Sequence, residues 1–210
     1  MPLPLSNILR ALYDRNGMVS QDKSQIPQPS IKEVRKFDNF FSPEVYKKIS
    51  DMVNHTYQGS PNAEHLPDRW IPGHRSRGEQ GESWFWQMII RDNDFIHKEC
   101  LQIINKKTRR KHKAERIYFN GMTVGQNASF HYDDEEADAW TFLLYVLPCY
   151  DFEWGGHTLF LDKDRKDLAL APLPNRGVYF PGRLLHKALC FNTNQAPMRV
   201  SLAYKLLEDK

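Results

Sequence analysis

The sequence predicts a mainly β domain with flanking helices (α+β), built on a jelly-roll core whose N-terminal helices pack on one sheet. Helix-period apolar patterning is confined to the first half of the chain, up to about residue 108. From Arg116 onward the character changes to short runs rich in β-branched and aromatic residues, separated by turn signals. A helical layer followed by many short strands suits helices on one side of a double-sheet β-barrel or jelly roll. The 210 residues show no internal repeat, and 40% of them are hydrophobic, so they suffice for one well-packed core.

Taken in order, Ser6 can cap a short helix with Leu5, Ile8, Leu9, Leu12 and Tyr13 on its apolar face and Gly17 as its stop. Polar, proline-containing "SQDKSQIPQPS" at 20–30 then reads as a connecting loop. Residues 1–35 are therefore a helix and linker, and 36–210 a single domain. "VRKFDNFFSPEVYKKISDMV" reads as a strand followed by a helix, with Ser42 as N-cap, Pro43 at the first helical position, and Val45, Ile49, Met52 and Val53 on one face. Over 59–83, Gly, Pro, Ser and charge alternate without a period, which predicts a long loop able to fold over a substrate as a lid. "WFWQMIIR" at 84–91 is strand-like, and a second amphipathic helix starts at Asp94, presenting Phe95, Leu101 and Ile104. The strands that follow are "RIYFNGMTV", "AWTFLLYVL", "HTLFL", "LALAPL", "GVYF", "LHKALCF" and "MRVSLAYKLL".

The net charge is +3, and a basic run, "KKTRRKHK" at 106–113, raises a nucleic-acid partner. Such a run also suits a solvated connection at a helix C-terminus, where cations complement the dipole. Cys100, Cys149 and Cys190 lie far apart with no C-x-x-C pair, which indicates neither a disulfide framework nor a structural zinc site. They read as small buried hydrophobes of a reducing compartment. The N-terminus lacks a signal-like apolar core and no apolar run approaches a bilayer-spanning length, so the expectation is a cytoplasmic protein with no membrane partner.

Within the strand-rich half, "SFHYDDEEADAW" at 129–140 sets His131 two positions before Asp133. Side chains at i and i+2 of an extended segment leave the same face, so imidazole and carboxylate can converge on one ion. A histidine from a neighbouring strand would complete a two-histidine, one-carboxylate facial triad, the geometry that leaves positions open on non-haem Fe(II). His157 and His186 compete for that place. His186 is followed, after a turn at "NTNQAP", by a strand in which Arg199 and Ser201 alternate onto one face, whereas His157 precedes no such pair. A guanidinium beside a hydroxyl suits a carboxylate, and an arginine flanked by Val200 and Leu202 is costly to bury without an anion. Asp134, Glu135, Glu136 and Asp138 read as a solvated acidic rim, a feature that would suit a basic peptide.

These ordered elements resemble the Fe(II)- and 2-oxoglutarate-dependent oxygenases, and within them the prolyl 4-hydroxylase-like branch. The residues that carry the resemblance are "HYD" (His131, Asp133), "TFLLY" (Thr141, Leu143, Tyr145), "GGHTLF" (Gly155 to Phe160), His186, and Arg199 with Ser201. "FDNFFSPEVYKKI" is similar to the strand-to-helix segment that opens the core in that branch, and the resemblance spans about residues 36 to 208. It implies a double-stranded β-helix in which His131, Asp133 and His186 are the catalytic Fe(II) ligands. It further implies that Arg199 holds the distal carboxylate of 2-oxoglutarate with Ser201 or Tyr145 assisting, and that Thr141 and Asn120 are candidates to reach the cosubstrate. The resemblance also implies O2 as co-reactant and makes ascorbate a candidate accessory reductant. The implied reaction hydroxylates a C–H bond of a protein substrate, a prolyl side chain being the branch's example, with release of succinate and CO2.

Two departures bear on this. Collagen-type relatives use lysine where this chain has Arg199, and the aspartate-containing turn after T-x-L-x-Y is replaced by the longer, more aromatic "VLPCYDFEW", so the substrate does not carry over. The presence of Asp133 favours hydroxylation or oxidative demethylation over halogenation, which requires a small residue there. An oxygenase of nucleic acid or of a small metabolite, and a non-catalytic jelly-roll binding module, stay open as alternatives.

Overall fold

Antiparallel pairing builds two facing sheets, and alternation along the strands decides what lies between them. The computed structural model describes residues 28–57, 70–78 and 81–209. The strands are β1 (Arg35–Phe37), β2 (Ile71–Gly78), β3 (Gly81–Ile89), β4 (His112–Met122), β5 (Ala139–Tyr145), β6 (Thr158–Leu161), β7 (Asp167–Leu170), β8 (Gly177–Pro181), β9 (Leu185–Ala188) and β10 (Arg199–Glu208). The larger sheet has the order β1-β8-β5-β10-β4-β3-β2, and the smaller one β7-β6-β9. This two-sheet arrangement is the predicted jelly roll.

Two helical segments cover the outer face of the larger sheet. Helix α1 (Pro43–Tyr57) begins where Ser42 Oγ accepts from Val45 N at 3.4 Å, with Pro43 needing no donor at that position. A π-helical segment, Phe95–Cys100, runs directly into α2 (Leu101–Thr108), which ends at Arg109 in the left-handed region, φ 57°. Ile49 and Val53 of α1, with Ile96, Cys100 and Ile104, bury against Ile117, Phe119, Phe142, Leu144, Val200, Leu202, Tyr204 and Leu206 of the sheet. Each such buried side chain contributes roughly 1.5–3 kcal/mol of transfer free energy.

The opposite face of the same strands carries the chemistry. In β10, the residues between the core positions are Arg199, Ser201, Ala203 and Lys205, and all of them line a cavity between the sheets. A second apolar cluster, Tyr145, Phe160, Leu170, Val178, Phe180 and Leu184, closes the space beside that cavity.

Two expectations change. The segment 59–83 is not a continuous loop: Ile71–Gly78 and Gly81–Ile89 pair as an antiparallel hairpin, with a register shift between Pro72 and His74. β2 is the sheet's edge strand, where a proline costs no ladder bond on its open side, so a polar, Pro- and Gly-bearing sequence still forms it. Strand β4 starts at His112 rather than Arg116, because its basic first residues pair with the acidic end of the chain: Lys111 and Lys113 with Asp209 at 2.9 and 3.0 Å, and Arg110 with Glu208 at 2.6 Å. The helix expected over Ser6 to Gly17, most of the 20–30 linker and the 59–69 part of the expected lid lie outside the described residues.

Candidate metal centre

His131 and His186 are locked together by backbone before their side chains meet. His131 N donates to His186 O at 3.0 Å and His186 N donates to His131 O at 3.1 Å, an isolated antiparallel bridge that ties the segment before β5 to β9. Asp133 N donates to Gly182 O at 2.9 Å, fixing the next turn of the same segment. The ligand atoms of His131, Asp133 and His186 then lie within 4.8 Å of one another, the grouping expected from H-x-D and a distant histidine.

The tautomers follow from the hydrogen bonds. Nδ1 of His131 is 2.9 Å from Ser129 O, and Nδ1 of His186 is 2.8 Å from Leu184 O; a carbonyl only accepts, so both Nδ1 carry the proton. Each Nε2 is thereby the ring nitrogen turned to the cavity, and both face Asp133: His131 Nε2 is 3.5 Å from Oδ1 and His186 Nε2 is 3.4 Å from Oδ2. The ring of Phe180 packs edge-on against His186 at 4.8 Å between centroids, and burial pushes that imidazole down to about 4. His131 is half-open; burial pushes it down but Asp133 outweighs this, so its affinity for a proton is raised. Burial pushes the Asp133 carboxyl up, yet Lys205 and the two histidines more than offset it and hold it well below the usual carboxylate range.

Asp133 is held from behind. Thr141 Oγ1 donates to Oδ2 at 2.6 Å, and the Lys205 ammonium contacts the same oxygen. Lys205 is itself largely buried, which lowers its proton affinity, but Asp133 more than compensates and it stays protonated. Oδ1 is the oxygen that these donors do not hold.

Across the cavity, Arg199 is 2% exposed. Its Nε donates to Gly156 O at 2.7 Å and Nη2 to Thr158 Oγ1 at 2.9 Å, while Nη1 lies 3.7 Å from Met122 Sδ. Among the described residues no carboxylate pairs with it, so a buried guanidinium meets only neutral acceptors. Tyr145 OH also donates to Thr158 Oγ1, at 2.8 Å, which leaves the Thr158 proton for an acceptor elsewhere. Ser201 lines the same cavity, as does Asn120, whose Oδ1 is buried and has no hydrogen-bond partner among the described residues. A buried charge that meets no anion among the described residues is an orphan that a bound anion satisfies. Two imidazole Nε2 atoms and a carboxylate suit a divalent metal, and Arg199 with the Thr158 and Ser201 hydroxyls suits a carboxylate-bearing ligand beside it.

The expected residues thus divide. His131, Asp133 and His186 converge; Arg199, Ser201 and Asn120 line the same cavity. Thr141 and Tyr145 stand on the same sheet face, directly across from Lys205 and Ser201 in the antiparallel register, and their hydroxyls hold Asp133 and Thr158. His157 stays out of the metal cluster: Thr158 points into the cavity, so its neighbour faces the other way. Lys205 and Thr158 are cavity residues in contact with this group that sequence reasoning did not single out. Thr158 stands inside "GGHTLF", and Lys205 lies an even number of residues after Arg199 on one strand, a spacing that could have flagged it.

No protein-family model matches the chain, and no curated protein matches its sequence. Solved structures match its fold. A prolyl-4-hydroxylase from Pseudomonas putida superposes with a TM-score of 0.61 at 16% identity, covering 85% of this chain and 94% of that one. An oxidoreductase of the 2OG-Fe(II) oxygenase family from Burkholderia pseudomallei gives 0.62 at 11% identity, covering 84% and 86%. A prolyl hydroxylase from Trichoplax adhaerens, solved with a hypoxia inducible factor oxygen degradation domain peptide fragment, gives 0.61 at 15% identity, covering 85% and 84%. At these identities the likeness is one of fold, and it agrees with the jelly roll read from the strand pattern.

Proposed function

We propose that this chain is an Fe(II)- and 2-oxoglutarate-dependent oxygenase that hydroxylates a C–H bond of a peptide or protein, with a prolyl side chain the first candidate to test, releasing succinate and CO2. The observation that carries this reading is one cavity holding both the His131, Asp133 and His186 cluster and a buried Arg199 with no carboxylate partner among the described residues. A chelated Fe(II) would supply the O2 activation that no side chain provides. His131 and His186 would hold it through Nε2, oriented by their Nδ1–H bonds to Ser129 and Leu184 carbonyls. Asp133 would hold it through Oδ1, with Thr141 and Lys205 on the other oxygen. Arg199 and the Thr158 and Ser201 hydroxyls would bind the distal carboxylate of 2-oxoglutarate. Phe85, Leu143 and Ala188 line the rest of the cavity and exclude water from it.

Peptide hydroxylation is supported by the shared fold with prolyl hydroxylases, one of them solved with a peptide, and by Glu135 and Glu136 exposed beside the metal cluster. A second reading, oxidation of a small apolar metabolite, is favoured by a cavity of about 400 Å³ lined by Trp70, Trp86, Phe191 and Met198. It adjoins the metal cavity through Met122, which lines both. The basic run 106–113 supports a nucleic-acid substrate less than its charge suggests, since Arg110, Lys111 and Lys113 pair within the chain. The test is succinate release with Fe(II), 2-oxoglutarate and O2 against prolyl peptides and small apolar compounds. Stimulation by prolyl peptides, with a gain of one oxygen in the peptide mass, is the expected result; stimulation by small compounds alone would replace it with the second reading.

A further inference from the structure

The metal cluster is unusual in that a second, largely buried cation stands directly behind it. Lys205 contacts Oδ2 of Asp133, its side chain is 11% exposed, and it comes from the same strand face as Arg199. The strand opposite carries a register shift beside it: Lys205 pairs with Arg116, but Leu206 pairs with Ala114, so β4 has an extra residue there. A bulge of this kind re-aims side chains next to a site. Tyr118 lies alongside, with the ammonium 5.9 Å from its ring centroid, and Thr141 Oγ1 is 3.5 Å away. Neither neighbour carries a negative charge, and among the described residues Asp133 is the anion paired with Lys205.

The charges in this cavity can be balanced. Arg199 and Lys205 are positive and Asp133 is the carboxylate that lines the cavity with them, so these fixed charges leave an excess of positive charge before any metal enters. A divalent metal placed on Oδ1 therefore shares its one carboxylate with Lys205 and adds to a buried cavity that already holds an excess of positive charge. In low dielectric that repulsion is large, and a dicarboxylate entering beside the metal removes it.

Resting on the oxygenase reading, we infer that Lys205 couples the two ligands: it weakens binding of the metal alone, so that metal and dicarboxylate cosubstrate enter as a mutually dependent pair. Linkage makes the coupling reciprocal, so the cosubstrate also binds poorly without metal. Lys205 is then a positioning and charge-setting residue, and Asp133 is the group through which it acts.

The test is Mn(II) titration followed by the magnetic resonance signal of free Mn(II), with and without 2-oxoglutarate, in wild type, Lys205→Met, Lys205→Gln and Lys205→Arg. Catalysis is not needed for this readout. In wild type 2-oxoglutarate tightens Mn(II) binding strongly. Lys205→Met binds Mn(II) alone about tenfold more tightly, and the tightening by 2-oxoglutarate shrinks by about the same factor. Lys205→Gln keeps a donor for Oδ2 but no charge and behaves like Lys205→Met, which also covers the case in which the methionine variant does not fold. Lys205→Arg keeps the wild-type coupling. If both neutral variants bind Mn(II) alone more weakly, or with unchanged coupling, Lys205 only props Asp133 and the inference is overturned while the oxygenase reading stands. If wild type binds no Mn(II), the oxygenase reading fails and takes this inference with it.

Discussion

Thr141 donates its hydroxyl to Oδ2 of Asp133 across 2.6 Å, from a strand position paired in register with Lys205. Two donors from neighbouring strands therefore converge on one oxygen of the proposed metal ligand. This contact commits the Thr141 hydroxyl to one oxygen of Asp133 and leaves the other toward the cavity.

Thr141→Val keeps the shape of the side chain and removes the donor. Metal affinity is expected to fall about 10- to 100-fold, the usual effect of losing an outer hydrogen bond to a ligand, and Thr141→Ser is expected to restore most of it. Titration of the two variants with Mn(II) checks this; equal affinity for wild type and Thr141→Val would remove Thr141 from the site.

Arg199→Met is expected to separate stability from binding. A buried guanidinium facing only neutral acceptors is a poor contributor to folding, so replacement by an apolar side chain should leave the melting temperature unchanged or raise it. The 2-oxoglutarate Kd should rise by a factor of about 100 or more, since a charge-assisted bond to a carboxylate is lost. A large drop in melting temperature with intact cosubstrate binding would contradict the assignment.

Gly156 has φ 73°, and a Cβ there would stand 2.5 Å from the Phe191 ring. Gly156→Ala is therefore expected to cost about 1–3 kcal/mol from backbone strain alone, read by urea denaturation. Because the Gly156 carbonyl accepts from Arg199 Nε, the same change should weaken 2-oxoglutarate binding in equilibrium titration.

His112 supplies a pH dependence away from the metal. Its Nδ1 is 2.8 Å from Asn105 Oδ1 and its Nε2 2.9 Å from Tyr179 OH, and burial lowers it from 6.5 to about 4. The unfolded chain takes up a proton below 6.5 that the folded chain refuses until about 4. Stability from this group is thus complete above 6.5 and is lost as the pH falls from there towards 4. In urea denaturation at pH 7 and pH 5, wild type should lose more stability than His112→Gln does; equal losses would show that His112 does not carry the effect.

The proposed metal site was legible because its signal is local: H-x-D on an extended segment puts both groups on one face whatever surrounds it, and Arg199 among apolar neighbours announced a buried charge. The helices were legible for a similar reason, since Ser42-Pro43 and the apolar spacing after it act within a few turns. What escaped depended on pairing. β2 carries Pro72, Gly73 and charged residues that read as loop, and it is a strand only because β3 offers it a partner. Lys205 in "LAYKLL" reads as a surface lysine until the register of β10 with β5 turns it inward against Asp133. Thr158 has no chemistry of its own in sequence, and gains it because Arg199 and Tyr145 arrive at one oxygen from other strands.

The most direct test of the central claim is an anaerobic titration of the metal-free protein with Fe(II) and 2-oxoglutarate, followed by the visible charge-transfer band of the chelated cosubstrate. The band is expected in wild type, lost in His186→Ala, weakened in Arg199→Ala and kept in His157→Ala. A wild type that shows no band and retains no iron, or a band that survives His186→Ala and disappears with His157→Ala, would contradict the assignment of His131, Asp133 and His186 as the metal site.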